Sequence, residues 1–201
     1  MINIGVLAFQ GSVEEHIDSL SKINGVHPVR VKTEEDLEKV SGLIIPGGES
    51  TTIGKLLREF SILEPLRKKI IKGLPVWGTC AGMVLLSKEI IGEDIIRIGT
   101  FNARVRRNAY GSQLDSFTTK TMIPDIANKE ITLVFIRAPW IEEVYDGVKI
   151  LAEIDGKIVA AKQDNILVTS FHPELTEELY FHSHFIELVK SCVNDKGYRV
   201  L

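Results

Sequence analysis

Apolar residues run almost unbroken from residue 2 to residue 9, as in a strand covered on both faces, and residues 13–23 then space them at helical intervals. The chain opens as a β-α unit. Short apolar runs at 29–31, 42–45 and 74–77 read as further strands, separated by helical patterns at 34–40 and 52–71. Such alternation predicts a parallel sheet with helices on both faces. After Ser87 the texture changes, and residues 97–105, 114–119, 131–136, 149–154 and 157–162 read as strands joined by short turns. Asp155-Gly156 between two of these runs marks a hairpin. Residues 166–171 form one more apolar strand, and 176–193 close the pattern as an amphipathic helix with Thr176 as its cap. The predicted class is α/β, a three-layer, mostly parallel, doubly wound (flavodoxin-like) sheet with antiparallel strands added in the second half.

Composition narrows the possibilities without changing this picture. A length of 201 residues suits one domain spanning residues 1–201, and 44% hydrophobic with 25% charged residues is ordinary for a globular chain. A formal net charge of −3 leaves no basic excess for a nucleic-acid backbone. No apolar run approaches the length of a membrane span and the start carries no signal-peptide pattern, so the expected location is cytoplasmic. The two cysteines, Cys80 and Cys192, sit in unlike contexts and suggest no disulfide. Cys192 reads as a small buried hydrophobe.

Cys80 differs, because Gly78-Thr79-Cys80-Ala81-Gly82 joins a strand directly to a helical pattern. Flanking glycines let the backbone turn sharply and lift the central side chain above the sheet, the thiol form of a nucleophile elbow. An incidental cysteine in a tight turn would use the same glycines, so the case needs partners. Phe171-His172-Pro173-Glu174 supplies them at another strand end, with His172 as base and Glu174 as the group that orients it. Ile45-Pro46-Gly47-Gly48-Glu49-Ser50 passes from a strand into a helix rich in capping hydroxyls, and its backbone N–H groups are suited to stabilising an oxyanion. The same turn would serve a phosphate, but the Lys-Ser/Thr of a P-loop is missing. His16, His182 and His184 read as surface or edge residues of helices and His27 as a loop residue. No cluster has metal-ligand spacing, so no metal and no cofactor are expected.

Together these segments resemble the class I (triad) glutamine amidotransferases. With Gly5 to Gly11, Arg107-Asn108-Ala109-Tyr110-Gly111 and Phe135-Ile136-Arg137-Ala138-Pro139 added, nearly the whole chain is similar to the family of glutaminase subunits of pyridoxal 5'-phosphate synthase. The resemblance implies Cys80 as nucleophile, His172 as base and Glu174 as its partner. It assigns glutamine contacts to Gly47, Gly48, Glu49, Ser50, Arg107, Ile136 and Arg137, with Gly48 and Ala81 as oxyanion donors. It also implies ammonia delivery to a separate synthase subunit and weak activity without that subunit; the Gly47–Gly48 peptide, with glycine's cheap change of dihedrals, is the expected element of such a switch. Phe9, where Leu is commoner, and the doubled Arg106-Arg107 depart from the pattern without touching the triad. Two readings compete: another amidotransferase subunit or related Cys-His hydrolase, such as a peptidase or deglycase, and a non-catalytic regulatory partner of the synthase.

Overall fold

The computed structural model describes residues 1–92, 94–107 and 116–196, with side chains described as far as 193. Its first half alternates as expected, through β1 (Ile2–Leu7), α1 (Val13–Ser21), β2 (Val26–Val31), α2 (Glu34–Glu38), β3 (Gly42–Ile45), α3 (Ser50–Glu59), α4 (Leu63–Ile71), β4 (Val76–Thr79) and α5 (Ala81–Leu86). Strands dominate the second half: β5 (Ser87–Ile91), β6 (Phe101–Arg106), β7 (Ser116–Ile123), β8 (Ala127–Ile136), β9 (Trp140–Val144), β10 (Lys149–Ile154), β11 (Lys157–Gln163) and β12 (Ile166–Thr169). A 3₁₀ turn (Pro173–Leu175) then leads to α6 (Tyr180–Lys196).

The main sheet has the order β2-β1-β3-β4-β12-β11-β9-β6-β5, with β10 paired to β11 off this path. Its β2-β1-β3-β4-β12 portion is parallel throughout, the flavodoxin-like order. β11 turns back antiparallel to β12, and the expected Asp155-Gly156 turn joins β10 to β11 with both residues at positive φ (51° and 71°). β7 and β8 form a separate antiparallel ribbon.

Period-two alternation sorts the parallel strands' side chains into two cores. Leu43, Ile45, Val76, Ile166 and Val168 join the helices α2 to α5 on one face. Ile4, Val6, Ile44, Trp77 and Leu167 join α1, α6 and the β7-β8 ribbon on the other. Glycine at position 5 is required by this closeness, since a Cβ there would come within 2.7 Å of Val31.

Several expected boundaries move. The helical pattern at 52–71 divides into α3 and α4 at Ser61, whose φ is 58°. Ser61 N–H donates to Arg58 O and Ile62 N–H to Leu57 O, both at 3.0 Å, which is the Schellman closure of a helix. Residues 97–100 lie outside β6, and β5 and β9 are strands that the hydrophobic pattern did not single out. The expected strand at 114–119 begins outside the described residues. Thr176 does not cap the last helix, which starts at Tyr180; its hydroxyl donates to Pro173 O (2.9 Å) and accepts from Glu178 N (3.2 Å), closing the 3₁₀ turn. Among the described residues no helix is long and apolar enough to cross a membrane.

Candidate active site

The C-terminal ends of β1, β3, β4 and β12 lie side by side, so the loops leaving them converge. Cys80 stands between β4 and α5 with φ 47° and ψ −101°, a conformation that non-glycine residues rarely hold unless their surroundings impose it. The surroundings do so. A Cβ on Gly78 would lie 2.5 Å from the Gly82 carbonyl carbon, and one on Gly82 would lie 2.1 Å from the Ile45 carbonyl oxygen. The two glycines let α5 press directly onto the sheet and force the turn between them. Cys80 N–H also donates to Thr169 O at 2.8 Å, tying the elbow to β12. Because α5 is six residues long, electrostatic help at the sulfur comes from first-turn N–H groups and not from a long helix dipole.

β12 carries the chain to His172, whose own N–H donates to Val134 O at 2.8 Å and so fixes it against β8. The His172 and Glu174 side chains meet across Pro173, with His172 Nδ1 and Glu174 Oε1 2.8 Å apart. Donation from Nδ1 to the carboxylate leaves the other ring nitrogen for the Cys80 thiol, which lines the same cleft. Burial alone would lower the His172 pKa, but the hydrogen bonds to Cys80 and Glu174 and the charges of both outweigh it and raise it to about 10. Burial would likewise raise the Glu174 carboxyl, yet His16, His172 and the Ser12 hydroxyl hold it at about 2. Ser12 Oγ donates to Glu174 Oε1 at 2.6 Å.

Above these groups opens a cleft of about 520 Å³. Gly47, Gly48, Glu49, Ser50, Cys80, Ala81, Arg107, Ile136, Arg137 and His172 all line it, while Glu174 sits behind. Ser12 N–H donates to Gly47 O at 3.0 Å, which turns the Gly48 N–H of that trans peptide to the opposite side. Gln10 Oε1 accepts the Glu49 N–H at 2.7 Å and secures the next peptide. Glu49 caps α3, accepting from Thr51 N (3.1 Å) and Thr52 N (2.6 Å), so a carboxylate does what the nearby hydroxyls were expected to do. Arg107 Nη2 reaches the same carboxylate at 3.2 Å. The Ile136 carbonyl oxygen lies 4.0 Å from Cys80 Sγ, and Arg137 follows at φ 43°.

A cysteine beside a histidine that is hydrogen-bonded to a glutamate, beneath a Pro-Gly-Gly loop, can split an amide through an acyl-thiol. The SNO glutamine amidotransferase family model matches residues 6–191. The chain belongs to the SNO glutamine amidotransferase family. Among its relatives, a pyridoxal 5'-phosphate synthase subunit PdxT from Clostridium acetobutylicum is 55% identical over 93% of this chain and 100% of its own length. One of the same name from Clostridium botulinum (strain Loch Maree) is 56% identical over 93% of this chain and 97% of its own length. A crystal structure titled glutamine amidotransferase superposes with a TM-score of 0.88 at 42% identity, covering 93% of this chain and 98% of that one.

In this amidotransferase the ten cleft-lining residues singled out from sequence come together around one opening, with Glu174 directly behind them. Asn108 to Gly111, part of the resemblance, lie outside the described residues. The departures stay peripheral: Phe9 packs on Phe60 (5.3 Å between rings) and Arg106 pairs with Glu142 at 3.1 Å.

Two histidines read as surface residues are instead fully buried, and this corrects the sequence reading. His16 and His182 are each 0% exposed, their rings 3.0 Å apart at Nδ1 and Nε2, and His16 lies against Glu174. Gln10 and Ser12 were also missed as site residues. The helical spacing of Val13, His16 and Leu20 places His16 on the inner face of α1, a signal that the sequence did contain.

Burial drives the His16 pKa down, and that of His182 to about 3. A histidine whose folded pKa lies below its unfolded value contributes stability above pH 6.5 that is lost as pH falls toward the folded value. Glu174 adds a loss only as pH falls from 4.5 through about 2, and His172 acts oppositely, losing its contribution as pH rises through about 10. Urea unfolding should therefore show a clearly lower midpoint at pH 5 than at pH 7.5. In the His182→Phe variant that difference should shrink.

Proposed function

We propose that this amidotransferase hydrolyses L-glutamine to L-glutamate and ammonia as the glutaminase subunit of a pyridoxal 5'-phosphate synthase, working as one cytoplasmic glutaminase domain across residues 1–201. The observation that supports it most is the line Cys80, His172, Glu174 at the floor of the cleft. His172, raised to about 10, already holds the Cys80 proton at neutral pH, and the Cys80 thiolate attacks the side-chain amide carbon of glutamine. Charge that gathers on the amide oxygen meets the backbone N–H groups of Gly48 and Ala81. His172 then returns the proton to the departing nitrogen, ammonia leaves, and a γ-glutamyl thioester remains. Water, losing a proton to His172, attacks the thioester and frees glutamate and the Cys80 thiol. Glu174 holds the His172 tautomer throughout. Gly47 to Ser50, Arg107, Ile136 and Arg137 bind the substrate's polar ends. No metal or cofactor enters these steps.

The names of the Clostridium relatives, at 55% and 56% identity, support the pathway and a synthase subunit as partner. A free glutaminase would waste glutamine, so the chain is weakly active alone and activated on docking. Reorienting the Gly47–Gly48 peptide requires breaking the 3.0 Å bond from Ser12 N–H, and glycine on both sides lets the backbone follow. Glutamate release measured with and without the pyridoxal 5'-phosphate synthase subunit should rise at least about tenfold with it, a coupling of about 1.4 kcal/mol. Equal rates would remove the regulatory claim, and a larger gain with another ammonia acceptor would favour a different amidotransferase.

A further inference from the structure

His16 and His182 are buried, polar and unused by the reaction scheme, yet they stand directly behind it. Their geometry leaves two arrangements of protons. Glu174 Oε1 already accepts from Ser12 and His172, whereas Oε2 is buried with no hydrogen-bond partner among the described residues. The nitrogen facing Oε2 is His16 Nε2, at 3.5 Å, and that nitrogen is also 3.3 Å from Thr79 Oγ1. His16 Nδ1 is 3.0 Å from His182 Nε2, and His182 Nδ1 meets no hydrogen-bond partner among the described residues.

If His16 carries its proton on Nδ1, it donates to His182, and its Nε2 lone pair points at an ionised carboxylate. His182 must then bury an N–H with nothing to receive it. If instead His182 Nε2–H donates to His16 Nδ1, then His16 Nε2–H points at Glu174 and Thr79, and only a bare ring nitrogen is left unpaired. The second arrangement replaces a repulsion with an attraction at the most strongly charged atom in the region.

We propose that His16, held in its Nε2–H tautomer by His182, is a positioning residue that orients Glu174 through Oε2 and thereby keeps His172 aligned with Cys80. The contact is long for a hydrogen bond in the free chain, and contacts of this kind tighten when substrate is bound. The order of positioning is His182, His16, Glu174, His172, joining α6 and α1 to the thiol. This rests on the glutaminase reading, but its first test does not use activity.

In the full, unmodified chain, long-range ¹H–¹⁵N spectra of the histidine rings should show both His16 and His182 as neutral Nε2–H tautomers at pH 7.5. A proton on His16 Nδ1 would overturn the proposal whatever the enzyme turns over. With the synthase subunit present, His16→Phe should lower kcat about tenfold or more, the scale of one hydrogen bond to a charged group, with KM changed less than about twofold. His16→Gln, which can still present an N–H to Glu174, should recover most of that loss. In a Glu174→Ala background the His16→Phe change should cost little further, because the group it orients is gone. Equal fold-losses in both backgrounds, or no recovery in His16→Gln, would mark His16 as a core residue only.

Discussion

Cys80→Ala is expected to reduce glutamine turnover by about 10⁴-fold or more, to the limit of detection, in the complex as in the free chain. The effect should be purely chemical. Alanine keeps the Cβ and faces the same positive φ of 47° that Cys80 already holds, and Cys80 N–H to Thr169 O is a backbone bond that survives. Thermal unfolding of the variant should therefore stay close to that of the parent, and glutamine should still bind, since the polar contacts assigned to it lie elsewhere around the cleft. Unchanged turnover would refute the nucleophile and favour a chain that only docks on the synthase. Lost turnover with lost folding would show instead that the strained elbow depends on the thiol.

Glu174→Gln should be the next most damaging change, lowering kcat by about 10⁴-fold, the loss seen when the acid of a Ser-His-Asp triad is made an amide. The cause is a proton in the wrong place. His172 Nδ1–H donates to Glu174 Oε1 at 2.8 Å, and an amide there can turn its NH₂ toward the ring and select the opposite tautomer. The nitrogen facing Cys80 then carries a hydrogen and cannot take the thiol proton. Because Glu174 is buried behind the cleft and does not line it, KM should change little. Loss of the carboxylate also removes one of the charges that raise His172 to about 10, so the imidazolium should titrate nearer its ordinary value. A fall in kcat/KM arising from KM alone would contradict this role.

Much of the architecture was legible in the chain because it depends on local periodicity. Continuous apolar runs at β1, β3 and β4 marked strands buried on both faces, and the glycines at 78 and 82 marked the elbow for a steric reason that the Cβ distances bear out. Less visible was the break at Ser61, since helix ends in the left-handed conformation usually advertise themselves with glycine. β5 and β9 escaped notice because charged residues interrupt them, as the Arg104–Glu143 pair at 2.8 Å between β6 and β9 illustrates. The cleft residues Arg107 and Arg137 came only from family resemblance, because an arginine at a strand end looks the same whether it faces solvent or substrate. His16 and His182 were misread for a different reason. They lie 166 positions apart, and only the packing of α1 and α6 on one face of the sheet brings them together behind Glu174.

The claim on which everything else depends is that Cys80, aligned by His172 and Glu174, attacks the glutamine side-chain amide. A diazoketone analogue of glutamine places an electrophilic carbon where the amide carbon would sit and alkylates the attacking group irreversibly. Mass spectrometry of the treated complex should find one label per chain, on Cys80, accumulating in step with the loss of glutaminase activity and slowed by added glutamine. Label on Cys192 with Cys80 untouched, or full inactivation with no label on Cys80, would contradict the account.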